Sequence, residues 1–335
     1  KPIKDIAELE HVKKIGKSSF NVLKEFCDTG TVTMIEKAKN DPFYTLSDIF
    51  GIGPKKAKQL VSTHKITSID HLRQNQELLN KNQKLGLQYY EDILMRIPRD
   101  EIVKYEKELR FAFDNLKSKT AKFEIVGSYR RGAKHSGDID IIITDTKENS
   151  DIFSKFLDIL IDRKVLIEVL SRGNVKSLGI SQLRRKPARR IDFMFTPADE
   201  YAFAVLYFTG SKTFNTIMRA RALKMGYSMN EHGLYKIRNG KRAEKLNQSF
   251  PTEKSIFAFL GMVYKSPEER VDWHSAEYIH PEDNHSIATD IKQSTRNKSL
   301  TKTTLKNKKI KKNKTMKHKK NVKCTNAKSS TFDYN

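Results

Sequence analysis

Two carboxylates one residue apart, Asp138 and Asp140, open an apolar run, Ile139-Asp140-Ile141-Ile142-Ile143. In a strand, residues i and i+2 share a face, so both acids point one way and Ile139 and Ile141 the other. Like charges this close repel, and the pair is comfortable only with a cation to neutralise it; hard carboxylate oxygens suit Mg²⁺. A third acid, Asp192, stands within Arg190-Ile191-Asp192-Phe193-Met194-Phe195. On an adjacent strand it would complete a nest for two metals about 4 Å apart. That nest serves phosphoryl transfer, in which one ion activates a hydroxyl nucleophile and the other clamps a triphosphate and its leaving pyrophosphate. Upstream, Gly127-Ser128 opens a short helix that offers amides and a hydroxyl to phosphate oxygens, and Arg131 adds charge. A bare Asp-x-Asp is more often a pair of solvated acids at a strand start. Joined to Gly127-Ser128 and followed by an apolar strand, it reads as nucleotidyltransferase chemistry.

These residues need a scaffold, and the texture of the chain supplies one. Residues 1–95 read as short helices, with helical apolar spacing at Phe20, Leu23 and Phe26 and again at Ala57, Leu60 and Val61, punctuated by Gly16, Gly30, Gly51, Gly53 and Pro54. A helix follows Pro98, from about Arg99 to Leu116. Strands are expected at 123–126, 139–143, 165–170, 179–183 and 190–195, with an amphipathic helix at 152–162. From Ala198 onward helical spacing returns. Helices, then a mixed sheet, then helices is an α+β multi-domain plan.

The 335 residues allow two or three domains, and 64 Lys and Arg against 40 Asp and Glu give a net charge of +24. Such a balance calls for a polyanionic partner. The longest apolar stretches, such as 203–208, fall far short of a membrane span. The N-terminus, Lys1-Pro2-Ile3-Lys4-Asp5, has no apolar signal region, and its lack of Met fits a trimmed piece. Cys27 and Cys324 cannot build a disulfide framework or a zinc site by themselves. An integral membrane protein and a disulfide-rich secreted protein are the classes disfavoured. Cys27, Trp273 and the Tyr89-Tyr90 pair read as packing residues, and the His274, His280 and His285 segment as a polar linker.

Leu46-Ser47-Asp48-Ile49-Phe50-Gly51-Ile52-Gly53-Pro54-Lys55-Lys56-Ala57-Lys58 resembles a helix-hairpin-helix motif. Its glycines permit a tight turn with exposed amides, able to hold a DNA phosphate without reading bases. Lys55, Lys56 and Lys58 add charge. A degraded second copy is Val12-Lys13-Lys14-Ile15-Gly16-Lys17. With the stretches 127–143 and 189–195, Tyr207-Phe208-Thr209-Gly210-Ser211, Phe214-Asn215, Met218-Arg219, Asn230-Glu231 and 252–257, the chain resembles the DNA polymerase X family from about residue 8 to 272.

The resemblance implies a helical helix-hairpin-helix N-terminal region, a nucleotidyltransferase palm with a mixed β-sheet, a small α+β fingers-like domain and a disordered basic tail. The expected divisions are 1–37, partial and lyase-like; 38–95, DNA-binding; 96–198, palm; 199–272, nucleotide-selecting; and 273–335, linker and tail. It also implies roles. Asp138, Asp140 and Asp192 would hold two Mg²⁺ ions, with Mn²⁺ a substitute, and Asp192 would take the primer 3′-hydroxyl proton. Ser128, Arg131, Ser136 and Gly137 would hold the triphosphate, supported by Arg96. Tyr207, Phe208 and Gly210 would face the incoming sugar and base, and Asn215 the minor-groove edge of the nascent pair. Arg219 would touch the template and Arg190 steer the primer terminus, while Gly51, Gly53, Lys55 and Lys56 would bind DNA. Backbone carbonyls of Ser47, Ile49 and Ile52 would take a monovalent cation, Na⁺ or K⁺, with a weaker site at Glu10, Val12 and Ile15.

The chain departs from the family pattern in two places. The family carries an acid where this chain has Lys212, which alters the stacking and salt-bridge role of that position. The family's N-terminal lyase domain uses a lysine to form a Schiff base with 5′-deoxyribose phosphate. Aligning Gly16, Phe26 and Gly30 with it puts Val22 at that position, and valine has no amine to form an imine; Lys17 and Lys24 are the neighbouring amines.

The expected activity is template-directed addition of dNTPs in short gaps during DNA repair of the base-excision type, by a monomer on gapped or nicked duplex DNA, without a membrane partner. A template-independent nucleotidyltransferase and a non-catalytic DNA-end-binding scaffold are the rivals. Tyr207-Phe208 disfavours the terminal transferase, which resembles Gly-Trp there. Three crowded aspartates disfavour the scaffold.

Residues 291–335 hold 15 Lys and Arg against one acid. So polar a segment buries too little to offset the entropy of ordering. It reads as a DNA tether, or, at Lys308-Lys309-Ile310-Lys311-Lys312, as a nuclear localisation signal. The nucleus is the expected compartment; a Lys-, Asn- and Ile-rich composition also fits a large DNA virus, whose particle or host cytoplasm is the alternative. Each phosphate neutralised adds about 0.9 to the slope of log affinity against log salt, so if a third of these cations engage, deletion after Asp290 flattens the slope by roughly 4 to 5. Salt-dependent DNA binding checks this; an unchanged slope removes the tether.

Overall fold

The computed structural model describes residues 5–10, 12, 15–147 and 151–280. The expectations for the tail, and for His285, lie outside these residues. Two compact units divide the chain: one comprises 1–96, 161–172 and 177–191, the other 97–160, 173–176 and 192–335.

In the first unit, helices Pro42–Ser47 and Pro54–Ser62 are joined by the turn 48–53. Gly51 takes φ +84° there, and Pro54 starts the second helix with its fixed φ. Leu46, Ile49, Ile52, Ala57 and Leu60 are buried together beneath the turn, joined by Leu72 and Leu87. Gly86 lets its helix, Lys81–Gln88, lie against this turn, since a Cβ there would stand 2.1 Å from the Phe50 carbonyl oxygen. Tyr90 packs on this cluster and Tyr89 on a second one of Leu85, Leu170, Ile180 and Ala188, as packing residues should. The helix expected around Phe20, Leu23 and Phe26 forms at Lys17–Thr29 but buries no residue. Leu23 is 38% and Phe26 55% exposed, and Cys27, read as a packing residue, is exposed too. Amphipathic spacing made the helix, but its apolar side, half-buried at Phe20, is left largely open.

The strands of the central region are β1 (Ala121–Ile125), β2 (Ile139–Asp145), β3 (Leu166–Arg172), β4 (Lys176–Ser181) and β5 (Arg189–Phe195). All five expected strands exist, with shifted ends. The second unit has the order β1-β2-β5 and the first β5-β4-β3, β5 contributing residues to both. β1 and β2 are antiparallel, with Ala121 opposite Asp145 and Ile125 opposite Ile141. The amphipathic helix Asp151–Asp162 buries Phe153, Phe156 and Leu160, and Phe156 meets Phe193 of β5 edge-to-face at 6.0 Å.

After β5 come helices Tyr201–Thr209, Lys212–Lys224 and Glu253–Phe259, as the spacing predicted. Between them lies a three-stranded antiparallel sheet that the helical reading missed: β6 (Tyr227–Asn230), β7 (Gly233–Arg238) and β8 (Lys241–Lys245), in the order β8-β7-β6. Its strands are short and polar, so alternation gave little signal. Met229 and Leu234 enter a core with Phe203, Phe214, Ile217 and Phe257, and Trp273 packs on it from the end.

One ion network fastens this last module to the strand–helix turn after β1. Arg130 gives Nε to Glu124 Oε1 at 2.5 Å and Nη2 to Glu253 Oε2 at 2.8 Å. Arg270, 0% exposed, gives Nη1 to Glu253 Oε1 at 2.6 Å. Burial by itself would raise the Glu253 carboxyl, but the hydrogen bonds and charges of Arg130 and Arg270 outweigh it and hold the group below its ordinary value. Stability from such a depressed carboxyl is present above its unfolded pKa of about 4.3 and is lost as pH falls through the lower folded value. Glu253→Gln therefore costs about 3 kcal/mol at pH 7, where it takes the carboxylate partner from the buried Arg270 and leaves Arg130 with Glu124 alone, and progressively less below pH 4. Unfolding measured at pH 7 and pH 3 checks this; an equal cost at both would remove the ionic account.

Candidate metal and nucleotide site

Asp138, Asp140 and Asp192 each bring one carboxylate oxygen within 4.8 Å of the others, all three partly buried. Asp138 sits in the bend just before β2 rather than in it, and Asp140 is the second residue of the strand. Asp192 is the fourth residue of β5, whose burial alternates strictly: Ile191, Phe193 and Phe195 are buried, while Arg190, Asp192 and Met194 share the half-open face. The pairing of three acids inferred from the sequence is therefore what β2 and β5 produce.

Gly127 makes room for it. Its φ is +64°, and a Cβ there would lie 2.5 Å from Asp140 Oδ2. Any larger residue would push the Asp140 carboxylate out of the cluster. Three carboxylates and no basic ligand form a hard-oxygen donor set, which fits divalent cations of the Mg²⁺ type.

Gly127 also opens the short helix Gly127–Arg130. Ser128 Oγ donates to Ser136 Oγ at 2.8 Å, so the two residues expected to share a phosphate are already in contact. Ser136 is buried and held by a two-residue antiparallel ladder, Ile97 opposite Ser136 and Pro98 opposite His135, which sequence reading did not foresee. Gly137 follows directly, between Ser136 and Asp138. Arg131 Nη1 donates to the Thr209 carbonyl at 2.5 Å, and lies 3.2 Å from where a Cβ on Gly210 would be. Burial pulls the Arg131 guanidinium below its ordinary value, and the charge of Asp140 opposes that pull.

Phe208 lines a small cavity with Asp140, Asp192 and Lys176. Lys176 was not anticipated; a lone lysine at a strand start carries no signal. Tyr207 meets Phe208 edge-to-face at 5.1 Å, and its carbonyl accepts from Asn215 Nδ2 at 2.6 Å. Tyr207, Asn215 and Arg219 border a second cavity with Asn230. Ser211 caps the helix Lys212–Lys224 by accepting from Phe214 N, leaving Lys212 exposed at its first position, where the helix dipole favours an acid.

Arg96, Arg190 and the 47–56 residues belong to the first unit. The Arg190 guanidinium lies over the Phe50 ring, 5.0 Å from its centroid. Gly51 and Gly53 are exposed with Lys55, while Lys56 is half-buried. Ile49 and Ile52 bury their side chains, and the Ile49 carbonyl accepts from Ile52 N at 2.9 Å. At the weaker site the Val12 carbonyl accepts from Ile15 N at 3.1 Å. Sequence reading matched Arg130 and Glu253 to the family without giving them a role, and it missed Arg270.

The carboxylate nest, the serine pair and the arginine beside them are the furniture of a nucleotidyltransferase palm. Residues 96–198 match the family model of the DNA polymerase beta palm, 204–271 that of the DNA polymerase beta thumb, and 44–94 that of the fingers domain of DNA polymerase lambda. The segment read as fingers-like is thus the thumb in family terms. DNA polymerase lambda of Rattus norvegicus is 32% identical over 289 residues, covering 82% of this chain and 50% of the relative. DNA polymerase lambda of Arabidopsis thaliana is 31% identical over 291 residues, covering 80% and 54%. DNA-directed DNA/RNA polymerase mu of Homo sapiens is 24% identical over 308 residues, covering 80% and 61%. The chain belongs to the DNA polymerase X family. It spans about half the length of the polymerase lambda relatives it matches.

Gly127→Ala tests the nest. The variant should keep its fold, losing about 1 to 2 kcal/mol to the positive φ, but weaken Mn²⁺ binding at least about tenfold as Asp140 is displaced. Titration calorimetry with Mn²⁺ reads this; unchanged affinity would show that Asp140 is not a ligand.

Proposed function

We propose that this chain is a template-directed DNA polymerase that adds dNTPs to a primer 3′-hydroxyl in short gaps, as in base-excision-type repair. The observation that carries the reading is the set of three carboxylates within 4.8 Å beside the Ser128–Ser136 pair. Asp138, Asp140 and Asp192 would hold divalent ions, Mg²⁺ or in substitution Mn²⁺. When bound, such ions supply Lewis-acid activation of a hydroxyl and neutralise charge on the triphosphate and pyrophosphate.

The protein's own groups supply the rest. The Asp192 carboxylate accepts the 3′-hydroxyl proton. Ser128, Ser136, the amide of Gly137 and Arg131 hold the triphosphate, with Arg96 in support. The Thr209 carbonyl fixes Arg131, so the guanidinium is aimed before substrate arrives. Tyr207, Phe208 and Gly210 face the sugar and base, Asn215 the minor-groove edge, Arg219 the template and Arg190 the primer terminus. Exposed amides at Gly51 and Gly53, with Lys55 and Lys56, bind a DNA phosphate, and the carbonyls of Ser47, Ile49 and Ile52 a Na⁺ or K⁺ ion. The protein works as a monomer in the nucleus, and Val22 leaves lyase chemistry without its amine. Among the described residues no helix is long and apolar enough to cross a membrane.

Asp192→Ala should lower single-nucleotide addition by about a thousandfold or more, as removal of a group acting on the reacting atoms does. Affinity for gapped DNA should change little, since the acid does not hold the duplex. Primer extension in Mg²⁺ with a parallel binding titration checks both; near-normal extension would overturn the assignment.

A further inference from the structure

The matched thumb ends at residue 271, yet the fold continues in order to His280. Asp272 caps the turn Trp273–Ser275 by accepting from His274 N at 2.8 Å. The chain then runs antiparallel to 261–263: Met262 bridges Tyr278, Val263 N donates to the Glu277 carbonyl at 2.9 Å, and Ile279 N to the Gly261 carbonyl at 2.9 Å. Lys265 Nζ pairs with Glu277 at 2.8 Å. Ala276 and Tyr278 are buried in the same cluster as Ile217, Met218 and Ala222 of the Lys212–Lys224 helix, and Tyr278 is only 2% exposed.

Arg221 joins this segment to that helix. Its Nε donates to the Leu260 carbonyl at 3.0 Å, and its guanidinium lies over the Tyr278 ring, 4.8 Å from the centroid. Gly261, at φ +63°, makes the turn beside it, where a Cβ would be in van der Waals contact with Arg221 Nη2 at 3.4 Å. At about 100° per residue, Asn215 and Arg219 share one face of the helix, and Arg221 projects about 140° away from the middle of that face. The helix thus presents Asn215 and Arg219 to the Tyr207 cavity on one side and is gripped on the other.

We propose that residues 272–280 are a strap that positions the nucleotide-checking helix, with Tyr278 acting through Arg221 to fix the rotation of the face carrying Asn215 and Arg219. This rests on the polymerase reading of those two residues. Tyr278 touches no reacting atom, so it is a positioning residue. Loss of its ring frees the helix to roll, which blurs the fit of the nascent pair more than it slows chemistry on a correctly seated one.

The test uses the full chain on a one-nucleotide gap. Tyr278→Ala should raise the KM for the correct dNTP and lower the correct-to-incorrect ratio of kcat/KM about tenfold, with kcat for the correct dNTP within about threefold. Tyr278→Phe, which keeps the ring over Arg221, should retain most of the wild-type discrimination that Tyr278→Ala loses. Arg221→Lys, which keeps the charge but loses the planar contact and the Nε bond, should reproduce the alanine effect if Tyr278→Ala does not fold. Folded Tyr278→Ala and Arg221→Lys with wild-type discrimination would overturn the strap. A wild-type chain that adds no nucleotide at all would instead overturn the polymerase reading.

Discussion

Three carboxylates with oxygens within 4.8 Å of one another are a liability that the surrounding structure accepts. In partly buried surroundings their repulsion is weakly screened, and a nearby positive charge relieves it. The backbone enforces the crowding: β2 carries Asp140 just after Asp138, β5 carries Asp192 on its half-open face, and Gly127 lacks the Cβ that would push Asp140 away. The charge of Arg131 bears on Asp140, and the Thr209 carbonyl accepts from its Nη1. The three oxygens so gathered form a donor set that could hold a metal ion.

A second concentration of charge is resolved the opposite way. Glu253 is buried between Arg130 and Arg270, and its compensation is entirely internal. Arg130 ends the short helix that Gly127 and Ser128 open, so the residues that shape the nest are tied through Glu253 to the thumb. Tyr201 adds to this, donating to Glu124 at 2.8 Å beside Arg130. Burial raises that phenol far above its ordinary value, so it stays a donor. The Glu253 network thus gives the turn that shapes the nest a fixed frame.

Much of the site was legible because its signals are local. A period of two places Asp140 against Ile139 and Ile141, and a glycine before a serine at a strand end marks a close approach. The same reading put the palm strands and the helix after Pro98 in place. What escaped was non-local or weakly patterned. Glu253 lies 123 residues from Arg130, and no spacing rule links them. The thumb strands are short and charged, as in Lys241–Lys245, so they carry no alternation. The two-residue ladder at Ser136 is too short to leave a pattern. The helix around Leu23 and Phe26 shows the converse: its amphipathic pattern was real, but a pattern says nothing about whether a partner covers it.

The most direct measurement of the central claim is single-nucleotide addition to a one-nucleotide gapped duplex. Each dNTP is supplied alone, opposite each template base, with Mg²⁺ and with excess chelator. If the carboxylate nest is a divalent metal site serving templated addition, only the complementary dNTP is added, and only with the metal. Addition that ignores the template base, or that persists in chelator, would contradict the account.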